Sequence, residues 1–117
     1  MKLFESELKV MEVLWEQGDL TAGQLSKELA HRTGWNRNTT YTIIKKLVEK
    51  GVLERIEPNF TCHPLISRSQ VQQEEADSLV NRLFDGSAEL LICTYLTEKK
   101  LNKEEIIRLK QLIETLN

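Results

Sequence analysis

Apolar residues in the first half of the chain recur every three or four positions, which is the spacing of helices with one buried face. This spacing predicts a first helix over about residues 6–17. Thr21 followed by Gln24 has the pattern of a capping box, so a second helix is expected to begin there and to end at Gly34. A third helix, over about 38–50, completes a group of three.

The pattern then changes from helical to extended. Residues 52–56 and 60–63 have the composition of two short strands, and Pro58 between them favours a turn. The segment 53–63 is therefore predicted to form a β-hairpin. Three helices followed by a small hairpin is the order of a winged helix-turn-helix domain.

Helical spacing returns after the hairpin. Ser67 and Gln70 form another capping box, which predicts a long helix to about Phe84. A short helix from Ser87 and a last helix capped by Asn102 should follow. The fold class is therefore mostly α, with a winged helix-turn-helix domain over 1–66 and a C-terminal helical domain over 67–117.

Charge is distributed unevenly along the chain, although the net charge is only −2. Residues 1–31 carry three lysines against six acids, whereas residues 32–55 carry six cations against two acids. A basic segment that follows an acidic one can present a local positive surface to phosphates. The acidic pI of 5.7 also leaves open a winged-helix module that binds proteins and not DNA.

The third predicted helix has two different faces. Thr40, Ile43, Ile44 and Leu47 form an apolar side, while short polar side chains and then lysines occupy the other. Hydroxyls and an amide near the start of a helix suit base edges and phosphates, and lysines suit the backbone. The candidate DNA-binding residues are Arg37, Asn38, Thr39, Tyr41, Thr42, Lys45 and Lys46 on this helix, with Arg55 and Asn59 on the hairpin.

Several segments together resemble the penicillinase-repressor family, the BlaI/MecI/CopY type of bacterial transcriptional repressors. They are ESELKVMEVLW, LTAGQLSKEL, TGWNRNTTYTIIKKLVEKGVLER, FDGSAELL and LNKEEIIRLKQLIE, in that order over nearly the whole chain. The resemblance implies a winged-helix DNA-binding domain over 1–66 and a C-terminal helical dimerisation domain over 67–117. It also implies a repressor that binds an inverted-repeat operator in double-stranded DNA as a homodimer. In β-lactam-responsive members a membrane sensor with a metalloprotease domain triggers cleavage in the C-terminal domain, so the resemblance also implies a sensor or protease as an inactivating partner.

The family's recognition motif, Trp-Ser-Pro-Lys-Thr-Ile-Arg-Thr in resistance-type members, aligns with residues 35–42. Thr39 and Thr42 match it, whereas Asn38 and Tyr41 replace long cations. The family's cleavage site, typically an Asn-Phe bond, falls on Thr94-Tyr95, where neither residue is the usual one.

Apolar positions of the last three helices are the candidates for dimerisation, because helices with apolar residues on more than one side commonly meet a partner. These candidates are Val71, Leu79, Val80, Leu83, Phe84, Leu91, Tyr95, Ile106, Leu109 and Ile113.

Cys62 and His63 raise a further alternative, a metal-sensing regulator. Neighbouring residues of a strand point to opposite faces, and no third ligand is spaced nearby, so we expect a buried cysteine, an exposed histidine and no metal or cofactor. No catalytic motif is found, so the chain is not expected to be an enzyme. Cysteines without paired spacing, and no signal-peptide or membrane-spanning pattern, favour the cytoplasm without membrane insertion.

Overall fold

The computed structural model describes residues 2–98 and 100–116. The winged-helix part is built from α1 (Glu5–Gln17), β1 (Leu20–Thr21), α2 (Ala22–Thr33), α3 (Arg37–Glu49), β2 (Leu53–Ile56) and β3 (Thr61–Pro64). Three further helices follow, which are α4 (Arg68–Leu83), α5 (Ala88–Glu98) and α6 (Lys103–Thr115). The predicted mostly α fold with a β-hairpin wing is confirmed. No helix in the described ranges is long and apolar enough to cross a membrane.

Local side-chain caps explain where several helices begin. The Thr21 hydroxyl accepts a hydrogen bond from the backbone N–H of Gln24, whose side chain accepts one from the N–H of Thr21. Asn102 and Glu105 make the same reciprocal pair at the start of α6. Such pairs satisfy N–H groups that have no partner inside the helix, so these sequence-based predictions are confirmed.

The sheet has one strand more than the sequence predicts. β2 and β3 form the expected antiparallel hairpin, in which Leu53 lies opposite Pro64. The two-residue β1 pairs with the other side of β3, so that Leu20 lies opposite Cys62 and the strand order is β1-β3-β2. This pairing attaches the hairpin to the segment that leads into α2.

One hydrophobic core holds the three helices and the hairpin together. The face of α3 that the helical spacing predicted to be buried is buried, including Thr40, Ile43, Ile44 and Leu47. The core cluster contains Leu3, Val10, Met11, Val13, Leu14, Ala22, Leu25, Leu29, Ile43, Ile44, Leu47, Val52, Leu53, Cys62 and Val71.

The chain forms two compact units, the first ending at Glu75 and the second beginning at Ala76. The division falls within α4, and the domain boundary proposed from the sequence, between residues 66 and 67, stays a prediction. In the first unit, Trp15 Nε1 donates a hydrogen bond to the carbonyl oxygen of Ile66 at 2.9 Å. The beginning of α4 is therefore tied to α1.

Val71 requires a correction to the predicted dimerisation set. Its side chain is only 4% exposed, and it belongs to the core cluster of the first unit. Helical spacing alone does not distinguish a residue that packs inside its own domain from one that meets a partner, because both are apolar. Val71 is therefore a residue of the winged-helix core.

The described residues of the second unit, 76–98 and 100–116, form no comparable core in the single chain. Among the described residues of α5 and α6, none is buried. Its large exposed apolar side chains are Leu83, Leu90, Ile92, Tyr95, Leu96, Ile106, Ile107, Leu109, Leu112, Ile113 and Leu116.

Candidate nucleic-acid interface

The polar face of α3 is open to solvent. Asn38, Thr42, Lys45 and Lys46 are all exposed, on the side opposite the buried apolar residues. Arg37 and Thr39 are exposed as well. The structure thus brings the candidate residues of this helix together on one accessible surface.

The start of α3 is held by its own side chains. The Oδ1 atom of Asn36 accepts a hydrogen bond from the N–H of Thr39 at 2.8 Å, which caps the helix. Thr42 Oγ1 donates to the carbonyl oxygen of Asn38 at 2.8 Å. The Thr42 hydroxyl oxygen still has lone pairs that can accept, and its methyl group remains available for apolar contact.

Tyr41 differs from the other candidates because it is only partly exposed. Its ring lies against Phe60 of the hairpin in an edge-to-face arrangement, with the ring centroids 5.8 Å apart. Its hydroxyl accepts a hydrogen bond from the terminal nitrogen Nη2 of Arg37 at 3.0 Å. Tyr41 therefore connects α3 to the hairpin, a role that helical spacing alone did not reveal.

The hairpin carries its two candidates on the surface. Asn59 is exposed, and the Arg55 side chain is 51% exposed. The Arg55 guanidinium lies over the Phe60 ring, with its Cζ atom 3.7 Å from the ring centroid. It also forms an ion pair with Glu57. Phe60 and Glu57 were not among the predicted site residues. The contact of Phe60 with Tyr41 joins separate elements, whereas Glu57 contacts Arg55 within the same hairpin.

Cys62 and His63 are adjacent in β3 but lie in different environments. Cys62 is completely buried, and burial raises the pKa of its thiol to about 11. The Nδ1 atom of His63 lies 2.8 Å from Oδ1 of Asp19, at the surface. Over residues 2–98 and 100–116, no group of three or more His, Cys, Asp or Glu side chains is placed to hold a metal ion.

Lys50, at the end of α3, is directed away from the exposed face and toward α1. Its Nζ atom lies 2.6 Å from Oε1 of Glu7, a side chain that is only 2% exposed. The same Glu7 oxygen accepts a hydrogen bond from the N–H of Phe4 at 2.8 Å. The last turn of α3 is thus fixed to the first turn of α1.

Solved structures with the same architecture include two of the repressor BlaI. The solution structure of the BlaI DNA-binding domain matches with a TM-score of 0.55 and 28% identity, covering 59% of this chain and 87% of that one. The monomeric form of Bacillus licheniformis BlaI in complex with the blaP half-operator matches with a TM-score of 0.52 and 28% identity, covering 60% and 88%.

Sequence relatives cover almost the whole chain. The penicillinase repressor of Bacillus licheniformis is 28% identical over 115 residues, which is 97% of this chain and 90% of the relative. The methicillin resistance regulatory protein MecI of Staphylococcus aureus is 22% identical over 114 residues, covering 96% and 93%. The family model described as "Penicillinase repressor" matches residues 3–115. The chain therefore belongs to the penicillinase repressor family.

Proposed function

We propose that this protein is a transcriptional repressor that binds an inverted-repeat DNA operator as a homodimer. The observation that carries the proposal is the two-faced α3. Its apolar side is buried in the winged-helix core, and its opposite side is a solvent-exposed row of amide, hydroxyl and lysine groups. The similarity to BlaI bound to a half-operator supports α3 as the helix that enters the major groove.

The order of residues along α3 suits its proposed role. Asn38 and Thr42 lie toward the beginning of the helix, where short side chains can reach base edges, and the Thr42 methyl group suits the methyl group of thymine. Lys45 and Lys46 follow, and in the described part of the chain no carboxylate is paired with either of them. Both ammonium groups are therefore available for backbone phosphates.

Dimerisation is proposed to occur through the second unit. α5 has large apolar side chains over most of its circumference, and an apolar surface this wide is normally buried. On α6, Ile106, Leu109 and Ile113 continue an apolar stripe at helical spacing, and each is exposed in the single chain. A second copy of the chain would cover these surfaces, and its two-fold symmetry would match the symmetry of an inverted repeat.

Relief of repression by proteolysis is the remaining part of the proposal. Thr94 and Tyr95 lie within α5 and are exposed. A helical peptide bond is a poor protease substrate, so cleavage there requires α5 to unfold locally. Mass spectrometry of the chain from cells exposed to a β-lactam tests this directly. A fragment that ends at Thr94 supports cleavage, and an intact chain under conditions that relieve repression contradicts it.

DNA binding is tested by selecting bound fragments from genomic DNA and measuring their affinity by gel shift over a salt series. Thr42→Ala should relax sequence preference, whereas Lys46→Ala should weaken binding to all sequences and lower the salt slope by about one. Lys103→Ala, which removes an exposed lysine from the second unit, is the matched control. Absence of binding even to random duplex at low salt would favour the protein-interaction module over the repressor.

Dimerisation is tested by placing a charge on each side of α6. Ile113→Glu introduces a carboxylate into the apolar stripe, whereas Gln111→Glu places the same charge on the opposite side of the helix. Sedimentation equilibrium should show dissociation of the first variant only. Equal dimer stability in both variants would exclude α6 as the interface.

A further inference from the structure

An open groove lies between α3, the hairpin and the first turn of α2. Its lining includes Gly23, Arg37, Tyr41, Arg55, Glu57 and Phe60. The two arginines come from different elements, one from α3 and one from β2. The groove therefore has a cationic group on each of the two elements that are proposed to contact DNA.

Arg37 occupies an unusual position for a cation. It is the first residue of α3, where the helix dipole favours negative charge and disfavours positive charge. Its guanidinium is nevertheless fixed, because Nη2 donates to the Tyr41 hydroxyl and Cζ lies 4.9 Å from the Tyr41 ring centroid. An anion in the groove would interact favourably with both the guanidinium and the helix terminus.

Arg55 is also held by an aromatic ring. Its guanidinium lies against the Phe60 ring, and the edge-to-face contact between Phe60 and Tyr41 links the rings that hold the two arginines. Stacking on an aromatic ring limits the motion of a guanidinium, so less conformational entropy is lost when it binds a partner. The two arginines are therefore held in position before any ligand arrives.

The contact with Glu57 indicates what kind of ligand group Arg55 can bind. The Glu57 carboxylate accepts from Nε of Arg55, and a carboxylate is an anionic oxygen acceptor of the same kind as a phosphate. This ion pair engages only one edge of the guanidinium. Both side chains are more than half exposed, so the pair is weak and can exchange with another anion.

The first turn of α2 contributes Gly23 to the groove lining. Gly23 is the second residue of α2, and a Cβ atom added there would meet only Thr21 Oγ1, at 3.9 Å. Neighbouring backbone donors are already used, since Ala22 N–H donates to the Phe60 carbonyl oxygen and Gln24 N–H to the Thr21 hydroxyl. Gly23 therefore adds no side chain to this part of the groove lining.

We propose that this groove binds a single phosphate of the DNA backbone, held jointly by Arg37 and Arg55, and that this phosphate displaces Glu57 from Arg55. The inference rests on the proposed DNA-binding function and adds one specific contact to it. Tyr41 and Phe60 are then positioning residues, since they orient the two guanidinium groups. Glu57 holds Arg55 in the free protein and opposes binding through its charge.

The first test asks whether the two arginines share a phosphate, using the full-length protein and a selected operator fragment. Each neutralised phosphate contributes about 0.9 to the slope of log affinity against log salt. A phosphate held by two arginines stays neutralised when one of them is removed, so Arg37→Ala and Arg55→Ala should each lower the slope by much less than this amount. The double variant should lower it by about 0.9, whereas a loss of about 0.9 in each single variant and twice that in the double variant would show two separate phosphates and overturn the clamp.

The second test measures the charge of Glu57. Glu57→Gln removes the negative charge and should tighten binding about twofold to fivefold, because exposed ion pairs of this kind contribute up to about that much. The same substitution in the Arg55→Ala background should have little effect. A gain of affinity does not arise from misfolding, and equal tightening in both backgrounds would overturn the exchange of Glu57 for phosphate.

Two controls separate this inference from the proposed function. If the unmodified protein binds no DNA at low salt, the proposed function fails and the clamp fails with it. If it binds and Lys46→Ala lowers the salt slope while the arginine effects are additive, only the clamp fails. Inorganic phosphate at the ionic strength of a chloride control should compete no better than chloride, since stronger competition would indicate a site for a free anion and not for DNA.

Discussion

The two partners of the Glu7–Lys50 ion pair are buried to different extents, and this difference predicts how much stability each substitution should cost. The Glu7 side chain is 2% exposed, whereas the Lys50 side chain is 27% exposed. Among the described residues, Glu7 Oε2 has no hydrogen-bond partner. The buried charge is therefore compensated through Oε1, which accepts hydrogen bonds from the Phe4 N–H and from Lys50 Nζ. Removing Lys50 therefore leaves a buried carboxylate without a counter-charge, whereas removing the charge of Glu7 leaves an ammonium group that water can reach.

We expect Lys50→Met to lower the free energy of unfolding by about 2–3 kcal/mol. Breaking a fully buried pair costs about 3–5 kcal/mol, and the partial exposure of Lys50 together with the remaining Phe4 N–H bond reduces that figure. Glu7→Gln should cost only about 1 kcal/mol, since the amide oxygen can still accept from Phe4. The double variant, Glu7→Gln with Lys50→Met, contains no unpaired buried charge and should be more stable than Lys50→Met alone.

Urea unfolding followed by circular dichroism measures these differences, at one fixed protomer concentration because dimerisation adds to apparent stability. Lys46→Met is the matched control, since it removes a cation from the same last turn of α3 without a carboxylate partner in the described structure. Its cost should stay below about 1 kcal/mol, the part due to the helix dipole. Equal losses for Glu7→Gln and Lys50→Met, or additive losses in the double variant, would refute the argument from unequal burial.

Three further perturbations concern buried or partly buried groups of the winged-helix unit. Thr40→Val should leave stability unchanged or raise it by about 1 kcal/mol in thermal melts, because the buried Thr40 hydroxyl has no partner among the described residues; a loss above about 1 kcal/mol would contradict this. Trp15→Phe should cost about 1 kcal/mol in urea unfolding, since the bond to the Ile66 carbonyl oxygen is lost, and an unchanged midpoint would show that bond to be unimportant. The pKa of the Cys62 thiol is raised from 9.0 to about 11, so the folded state binds more protons between these values and the free energy of unfolding should fall as pH rises from 9 to 11. Cys62→Ala should remove that part of the pH dependence, and an identical slope in the variant would contradict the assignment.

Features controlled by neighbouring residues were predictable from the sequence. The caps at Thr21 and Asn102 each depend on a partner three residues away, and the two faces of α3 depend only on helical spacing. β1 was missed because two residues carry no period of their own, and their strand geometry comes from pairing with β3 about forty residues later.

The groove could not be predicted from the sequence, because it too depends on contacts between segments that are distant along the chain. Tyr41 and Phe60 meet only once the hairpin has folded back toward α3, and neither position alone indicates that contact. The candidate residues on α3 were found because one helix face collects them. Glu57 is a different case, because its partner Arg55 is only two residues away. It was missed because an acid in a turn is ordinarily a solvated residue.

The basic segment over 32–55 presents less free charge than its composition suggests. Arg32 and Lys50 are paired with carboxylates of α1 and α2, so those cations mainly hold the helices together. Lys45 and Lys46 have no such partner in the described ranges, and both lie on the exposed face of α3. A small number of free cations concentrated on one helix, on an otherwise acidic chain, limits attraction to arbitrary DNA. Recognition then depends more on base contacts than on total charge.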